Sequence, residues 1–412
     1  MRQSFNVTAL FGGVGGLELG LQRHGHHTSL FCECDPEATA VLARRFPSTP
    51  LMFDVRATDE LREAIHPKSN LLTAGFPCTD LSQAGRTEGF AGDKSSLVRD
   101  VIKLLKKRPF EHVLIENVPN WRHLHGGAYL REVLSALERL GYRWAYRTID
   151  ALAFGLPQRR HRIFVYATLE GDPRGALFFG DEEPDEQVFA LDEQAHGFYW
   201  TEGNRGLGWG EDCVPTLKGG SAVGIPAPPA IVMPDLTIIT PDVSDTERLQ
   251  GFAADWTNVQ ECLPRFEGRA FKQRRRWMLV GNAVNVEVSA WIGEQLAAQR
   301  RYDGEEDVVL GKGDPWPTAA WYDGRSRWRA SKSLWPVKRK RRHLASFLLQ
   351  SAPPLSLRAT EGFYSRLANS SLNVKRDFLQ AVKRHLERMK KTPVAPKPKS
   401  KPRKSDNLRR VA

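Results

Sequence analysis

The sequence predicts an α/β protein whose core is an open parallel sheet, and three observations carry that reading. Across the first 168 residues, short apolar runs alternate with helix-patterned stretches, the signature of repeated strand-helix-strand units. The first apolar run leads directly into a glycine turn, Gly12-Gly13-Val14-Gly15-Gly16, and the later runs end in polar or turn residues. At 412 residues the chain also exceeds what one hydrophobic core usually serves, so a smaller domain is expected beside the first.

Each element follows from its own residues. Val7-Thr8-Ala9-Leu10-Phe11 reads as the first strand, and a helix starts at Leu17 after the glycines. Thr28-Ser29-Leu30-Phe31-Cys32 is the second strand, and Pro36 opens the next helix in its first turn, where a missing N–H is harmless. Leu71-Leu72-Thr73-Ala74-Gly75 and His112-Val113-Leu114-Ile115-Glu116 continue the series, and Arg162-Ile163-Phe164-Val165-Tyr166-Ala167 is a later strand. From Glu170 the chain turns acidic and turn-rich, then Gly/Pro-rich through Pro241; helical periodicity returns over 246–252 and 285–298. Residues 301–314 read as a charged linker. Beyond it Trp316, Trp321, Trp328 and Trp335 are expected to anchor an accessory module, and 372–389 patterns as an amphipathic helix through Leu372, Phe378, Leu379, Val382 and Leu386.

Charge and cysteine usage exclude several classes. The net charge of +12 is unevenly placed: residues 382–412 carry +10, residues 321–381 another +10, and residues 1–320 are left at −8. A polyanion is therefore drawn mainly to the C-terminal quarter. Pro393, Pro396, Pro398 and Pro402 break any helix near the end, so 382–412 is expected as a disordered basic tail that binds nucleic acid without sequence preference. The cysteines, Cys32, Cys34, Cys78, Cys213 and Cys262, form neither a disulfide framework nor a paired zinc pattern, and reduced thiols are expected. With no apolar run of about eighteen residues and no signal-like start, the sequence predicts a soluble cytoplasmic protein without a membrane partner.

The candidate site residues gather at strand ends, where open α/β sheets bind ligands. Glu33 follows the second strand 17 residues after Gly16, where an acid binds ribose hydroxyls. Asp54-Val55 follows a third short strand, and its carboxylate can accept from an adenine amino group. Ribose and adenine fit both NAD and S-adenosylmethionine, so this turn alone suits a dehydrogenase equally well. Gly75-Phe76-Pro77-Cys78 narrows the choice by placing a cysteine in a turn at the end of a buried strand. A free thiol, with pKa near ~8.5, becomes a better nucleophile in an electropositive setting. Glu116-Asn117-Val118-Pro119 brings a carboxyl group to the same edge, and Gln158-Arg159-Arg160-His161-Arg162 adds guanidinium groups, with Arg160 and Arg162 on one side of the strand. Nucleophile, acid and donors can then converge on one planar heterocycle.

In this order these motifs resemble those of the DNA (cytosine-5)-methyltransferases across roughly residues 5–300, together with Arg248-Leu249-Gln250-Gly251-Phe252 and Gly281-Asn282-Ala283-Val284. The resemblance implies a Rossmann-like S-adenosylmethionine-dependent methyltransferase fold with a smaller target-recognition domain and a basic C-terminal extension. It divides the chain into a catalytic, cofactor-binding domain (1–168), a target-recognition domain (169–275) and a return segment of the catalytic domain (276–300), while charge and composition mark a basic accessory module (301–381) and the tail (382–412). Phe11, Gly13, Gly15, Gly16, Glu33, Asp54, Val55 and Asn282 would bind S-adenosyl-L-methionine. Cys78 would add to carbon 6 of the cytosine, Glu116 would donate toward ring nitrogen 3, and Arg162 would hold the exocyclic oxygen with Arg160 supporting the loop.

The expected partner is double-stranded DNA with its target base flipped out. The chain is expected to act as a monomer and as the modification half of a restriction-modification system, with a possible cognate restriction endonuclease. A tRNA cytosine-5 methyltransferase of the same family is the nearest alternative. A nicotinamide oxidoreductase leaves the later motifs unexplained, and a catalytically silent DNA-binding protein would not need Cys78 or Glu116. Two features depart from the family pattern: Thr79-Asp80 stands where Gln usually follows the Pro-Cys pair, and Gly12 replaces the usual Ala or Ser. Thr216-Leu217 resembles a pair found in target-recognition domains, followed by the glycine-rich Lys218-Gly219-Gly220-Ser221.

Overall fold

Alternating strand and helix patterns become a layered sheet in the first half of the chain. The computed structural model describes residues 3–76, 96–184, 187–220, 228–259, 273–298 and 300–391. In order come β1 (Asn6–Leu10), α1 (Gly16–Gln22), β2 (His27–Cys32), α2 (Pro36–Arg45), β3 (Leu51–Met52) and α3 (Thr58–Ala64). They are followed by β4 (Leu71–Ala74), α4 (Ser96–Lys107), β5 (His112–Asn117), α5 (Ala128–Arg139), β6 (Arg143–Asp150) and β7 (His161–Thr168). Helix α2 starts where the sequence predicts: Asp35 accepts hydrogen bonds from the Glu37 and Ala38 amides at 3.0 Å, and Pro36 stands in the first turn.

Neighbouring residues on each strand feed opposite faces of the sheet. Leu72, Val113 and Ile115 point to one side, packed with Leu61, Leu104, Leu130 and Leu134 of α3, α4 and α5. Leu71 and Leu114 point to the other, against Leu17 and Leu21 of α1 and against Trp291 and Ile292. Those last two residues belong to α8 (Val286–Ala298), which follows β8 (His196–Phe198), β9 (Gly210–Glu211), β10 (Ala230–Val232), β11 (Ile238–Ile239), α6 (Val243–Leu249) and α7 (Gln273–Asn282). The return of α8 onto α1 depends on Gly20, because a side chain there would overlap Ser289.

Two features of the sheet differ from the sequence expectation of a purely parallel core. Strands β3, β2, β1, β4 and β5 are parallel, but β7 inserts antiparallel beside β5, and β6 pairs antiparallel with β7. Strand direction leaves no trace in an apolar run buried on both faces. Second, residues 301–391 are divided between two layers. β12 (Val308–Val309), β13 (Ala319–Tyr322) and β14 (Arg327–Arg329) join the main sheet, with β13 covering the edge of β6 that would otherwise present unpaired backbone groups. Trp316 and Trp335, each 5% exposed, are thereby buried in the cores on the two faces of the main sheet. Buried Arg147 ties this region down through the carbonyls of Ser333, Leu177 and Gly180 and the Asp181 carboxylate.

The smaller sheet, β11-β10-β8-β9, is antiparallel. One face packs toward the main body through Leu156, Leu249, Trp277 and Val280, with Leu344 and Phe347 of α9 (Leu344–Phe347). The other carries α10 (Leu357–Ala368) and α11 (Arg376–Lys391), whose Phe363, Leu367, Phe378 and Val382 meet Phe198, Ala230 and Val232. Helix α11 thus runs on through residue 382, the expected start of the tail, to Lys391, because Val382, His385 and Leu386 complete its buried stripe. No helix among the described residues is long and apolar enough to cross a membrane.

Candidate active site

Chain order reverses between β1 and β4, and a crevice at the carboxyl ends of these strands follows from that switch. Phe11 closes β1 at φ 56°, donating its amide to the Cys32 carbonyl at 2.8 Å. Gly13 and Gly15 also take positive φ, 54° and 78°, a region glycine enters without strain. A side chain at Gly16 would overlap the Val284 carbonyl, so this glycine admits the return segment.

Glu33 bridges the turn to the second strand by accepting from the amides of Gly13 and Asp35, both at 2.8 Å. Burial pushes its carboxyl pKa up, and those amides oppose the shift. Asp54 is half-exposed and is bound through both oxygens by Arg56, which holds its pKa below the ordinary aspartate value. Val55 is buried, and Asn282 is exposed at the end of α7 beside the backbone of Gly219.

A second cluster forms around Glu116 at the end of β5. Its Oε1 lies 3.0 Å from Arg162 Nε, and the carboxyl is buried, with the whole residue 7% exposed. Burial raises its pKa, while Arg162 and Arg160 pull the other way. The opposite oxygen would lie 3.7 Å from a Cβ built on Gly75, which itself would approach the Phe11 carbonyl at 3.9 Å. Gly75 therefore stands between the glycine turn and the buried acid. Asn117 donates to the Phe76 carbonyl at 3.4 Å, and the Phe76 ring packs against Phe11 and Trp121. Cys78, two residues further on, lies outside the described residues, as do Thr79, Asp80 and the tail from 392 onward.

Arg160 and Arg162 leave the same strand start for different partners. Arg162 faces Glu116 and donates to the His161 carbonyl at 2.8 Å. Arg160, 1% exposed, donates to the carbonyls of Leu217 (3.0 Å), Gly281 (3.2 Å) and Ala283 (2.7 Å), joining the 216–220 turn to the return segment. Burial lowers its pKa well below the ordinary arginine value. Gln158 and Gln250 extend this polar seam: Gln158 donates to the Leu249 carbonyl at 2.8 Å and Gln250 to the Val280 carbonyl at 3.0 Å. The sequence shows the Gln-Arg-Arg and Leu-Gln-Gly motifs without showing that they meet. Beside them, and marked by no motif, stand Tyr199 and Glu202 against Lys218.

The arrangement is a glycine turn bridged by Glu33 and, with Gly75 between them, a buried acid-guanidinium pair. The family description C-5 cytosine-specific DNA methylase matches residues 5–192. The Type II methyltransferase M2.BsuMI of Bacillus subtilis (strain 168) is 42% identical over 394 residues, covering 93% of this chain and 98% of that one.

This chain belongs to the C-5 cytosine-specific DNA methylases.

The methylase is also 35% identical over 156 residues to Type II methyltransferase M.BsuFI of Bacillus subtilis, over 38% of this chain and 37% of that one. To Type II methyltransferase M.NlaX of Neisseria lactamica it is 28% identical over 322 residues, or 71% and 96% of the two chains. The solved S. pombe Dnmt2 methyltransferase superposes with a TM-score of 0.49 at 15% identity, over 73% of this chain and 100% of that one. As a methylase of this family the protein takes its methyl group from S-adenosylmethionine and has the family's Rossmann-like α/β fold.

Proposed function

We propose that this methylase modifies carbon 5 of a flipped-out cytosine within a specific duplex sequence, through a covalent bond from Cys78 Sγ to carbon 6. The observation that carries the proposal is the buried Glu116–Arg162 pair, set beside Gly75 and so close along the chain to Cys78. A carboxyl group whose pKa is raised by burial can hold a proton and donate it toward ring nitrogen 3, while the Arg162 guanidinium takes the exocyclic oxygen. As the thiolate bonds to carbon 6, the ring's electron density moves to carbon 5, which can then accept a methyl group. Loss of the carbon-5 proton and departure of the Cys78 thiolate restore the aromatic ring.

S-adenosylmethionine, when bound, supplies an electrophilic methyl group. The crevice residues suit it: Gly13 leaves open space where a Cβ would stand, and Glu33 is oriented by two amides to accept from ribose hydroxyls. Phe11, Gly15, Gly16, Asp54, Val55 and Asn282 complete the proposed cofactor set. Asp54 must exchange one of its Arg56 contacts to take an adenine amino group. Arg160 acts by positioning, since the described bonds of its guanidinium go to backbone carbonyls.

The smaller sheet and its flanking loops are assigned to target recognition. The relatives' Type II names support a place in a restriction-modification system; a cognate endonuclease as partner and a monomeric working form belong to the proposal. The test is trapping on duplex DNA containing 5-fluorocytosine, where fluorine blocks the final elimination. A covalent, S-adenosylmethionine-dependent adduct is expected from the natural protein and none from Cys78→Ala. An adduct with the variant refutes the assignment.

A further inference from the structure

Lys218 stands on the turn that joins the smaller sheet to the catalytic pocket. Its Nζ lies 2.6 Å from Glu202 Oε1 and 3.8 Å from the centroid of the Tyr199 ring. The Tyr199 hydroxyl in turn donates to the Thr216 carbonyl, so the ring under the ammonium is fixed to the same turn. The turn is fastened to the catalytic domain by Arg160 on the Leu217 carbonyl at 3.0 Å and by Thr216 Oγ1 on the Arg159 carbonyl at 3.0 Å. Tyr199 lies within electrostatic reach of Arg160 and Arg162. The lysine-glutamate pair therefore lies on a turn bonded to Arg159 and Arg160, the residues that lead into Arg162, with side chains 35% and 36% exposed.

We propose that Glu202 masks Lys218 in the free enzyme and that a backbone phosphate of the target strand displaces it. A base lodged against Glu116 and Arg162 leaves its own sugar-phosphate at the pocket mouth, where an ammonium held by a rigid turn meets it. The ammonium can serve either anion, but carboxylate and phosphate repel each other, so Glu202 must leave as DNA arrives. An ion pair this exposed is weak, about 1 kcal/mol or less, so opening it is easy. The cost nevertheless falls on every DNA sequence alike, because phosphate contacts carry no sequence information. Glu202 thus restrains indiscriminate binding and leaves discrimination to the base contacts.

This inference rests on the flipped-cytosine reading for the position of the phosphate. Binding to a duplex without a methylation site tests it separately, because that measurement needs no adduct or methyl transfer. The experiment is a salt series of fluorescence-anisotropy titrations with the full chain. Lys218→Gln is expected to weaken binding and to flatten the slope of log K against log salt by about 0.9, one phosphate contact. Lys218→Arg should retain the natural slope. Glu202→Gln is expected to tighten binding roughly fivefold, the upper worth of such a pair, with the slope unchanged. In the double variant, the Glu202 substitution should add nothing to the effect of Lys218→Gln. Weaker or unchanged binding by Glu202→Gln, or a tightening that persists without Lys218, overturns the proposal. Thermal melting of each variant separates these outcomes from misfolding.

Discussion

Replacing Arg160 with lysine tests how the two parts of the molecule are held in register. The guanidinium spans three carbonyls on two segments, Leu217 on one side and Gly281 and Ala283 on the other. A lysine lacks the planar fork, loses its charge readily in so buried a place, and is expected to satisfy one of the three. Hydrogen bonds to charged groups contribute about 1.5–3 kcal/mol each, so losing two costs about 3–6 kcal/mol. Against a typical domain stability of about 5–15 kcal/mol, that loss is large. Urea denaturation at low temperature measures it directly. Because Glu116 keeps its ion pair with Arg162, the acid limb of the methylation pH profile should stay close to its place while kcat/KM for DNA falls. A stability change within about 1 kcal/mol, or a displaced pH profile with full stability, would refute the positioning role.

Three further predictions concern residues away from Glu116 and Arg162. Glu18 is fully buried, accepts a hydrogen bond from Thr73 Oγ1 at 2.8 Å, and has its pKa raised by burial to about 7. Between pH 4.5 and 7 the folded protein keeps a proton that the unfolded chain has already lost, so stability falls as pH rises across that window. The decline should reach about 3 kcal/mol and be absent in Glu18→Gln; equal slopes in the two proteins would contradict it. Ending the chain after Lys391 should leave the melting temperature unchanged and weaken DNA binding chiefly at low salt. Ending it after Ala381 should unfold the smaller sheet by removing Val382, His385 and Leu386 from the core, as a loss of protection in hydrogen exchange would report.

What could be read from the residues alone follows a physical boundary. Strands β1, β2, β4 and β5 and helices α1, α2, α8 and α11 carry local periodicity, and they form close to the expected positions. The direction of β7 and the pairing of β13 with β6 depend on partners far away in sequence, about which an apolar run is silent. Strands of two or three residues, such as β9 and β11, offer too little pattern to see. In the site, the glycine turn and Glu33 are legible because backbone conformation and strand ends limit which residues fit. The divergence of Arg160 and Arg162 is not, because it is set by carbonyls of residues 217, 281 and 283. Tyr199, Glu202 and Lys218 come together only through folding and leave no motif.

The division of residues 301–391 between two sheets bears on how the smaller sheet, proposed above to recognise the target, can be transplanted among such enzymes. The smaller sheet is built from strands between residues 196 and 239, yet its far face is completed by helices more than a hundred residues later, beyond α8 and three strands of the main sheet. A graft of one contiguous cassette would leave Phe198, Ala230 and Val232 facing foreign helices, or none. A chimera that retains a folded smaller sheet must import residues 344–391 together with the strands they cover. The same chain passes through β12, β13 and β14 on its way there, so the donor's edge strands must also remain compatible with the recipient's β6.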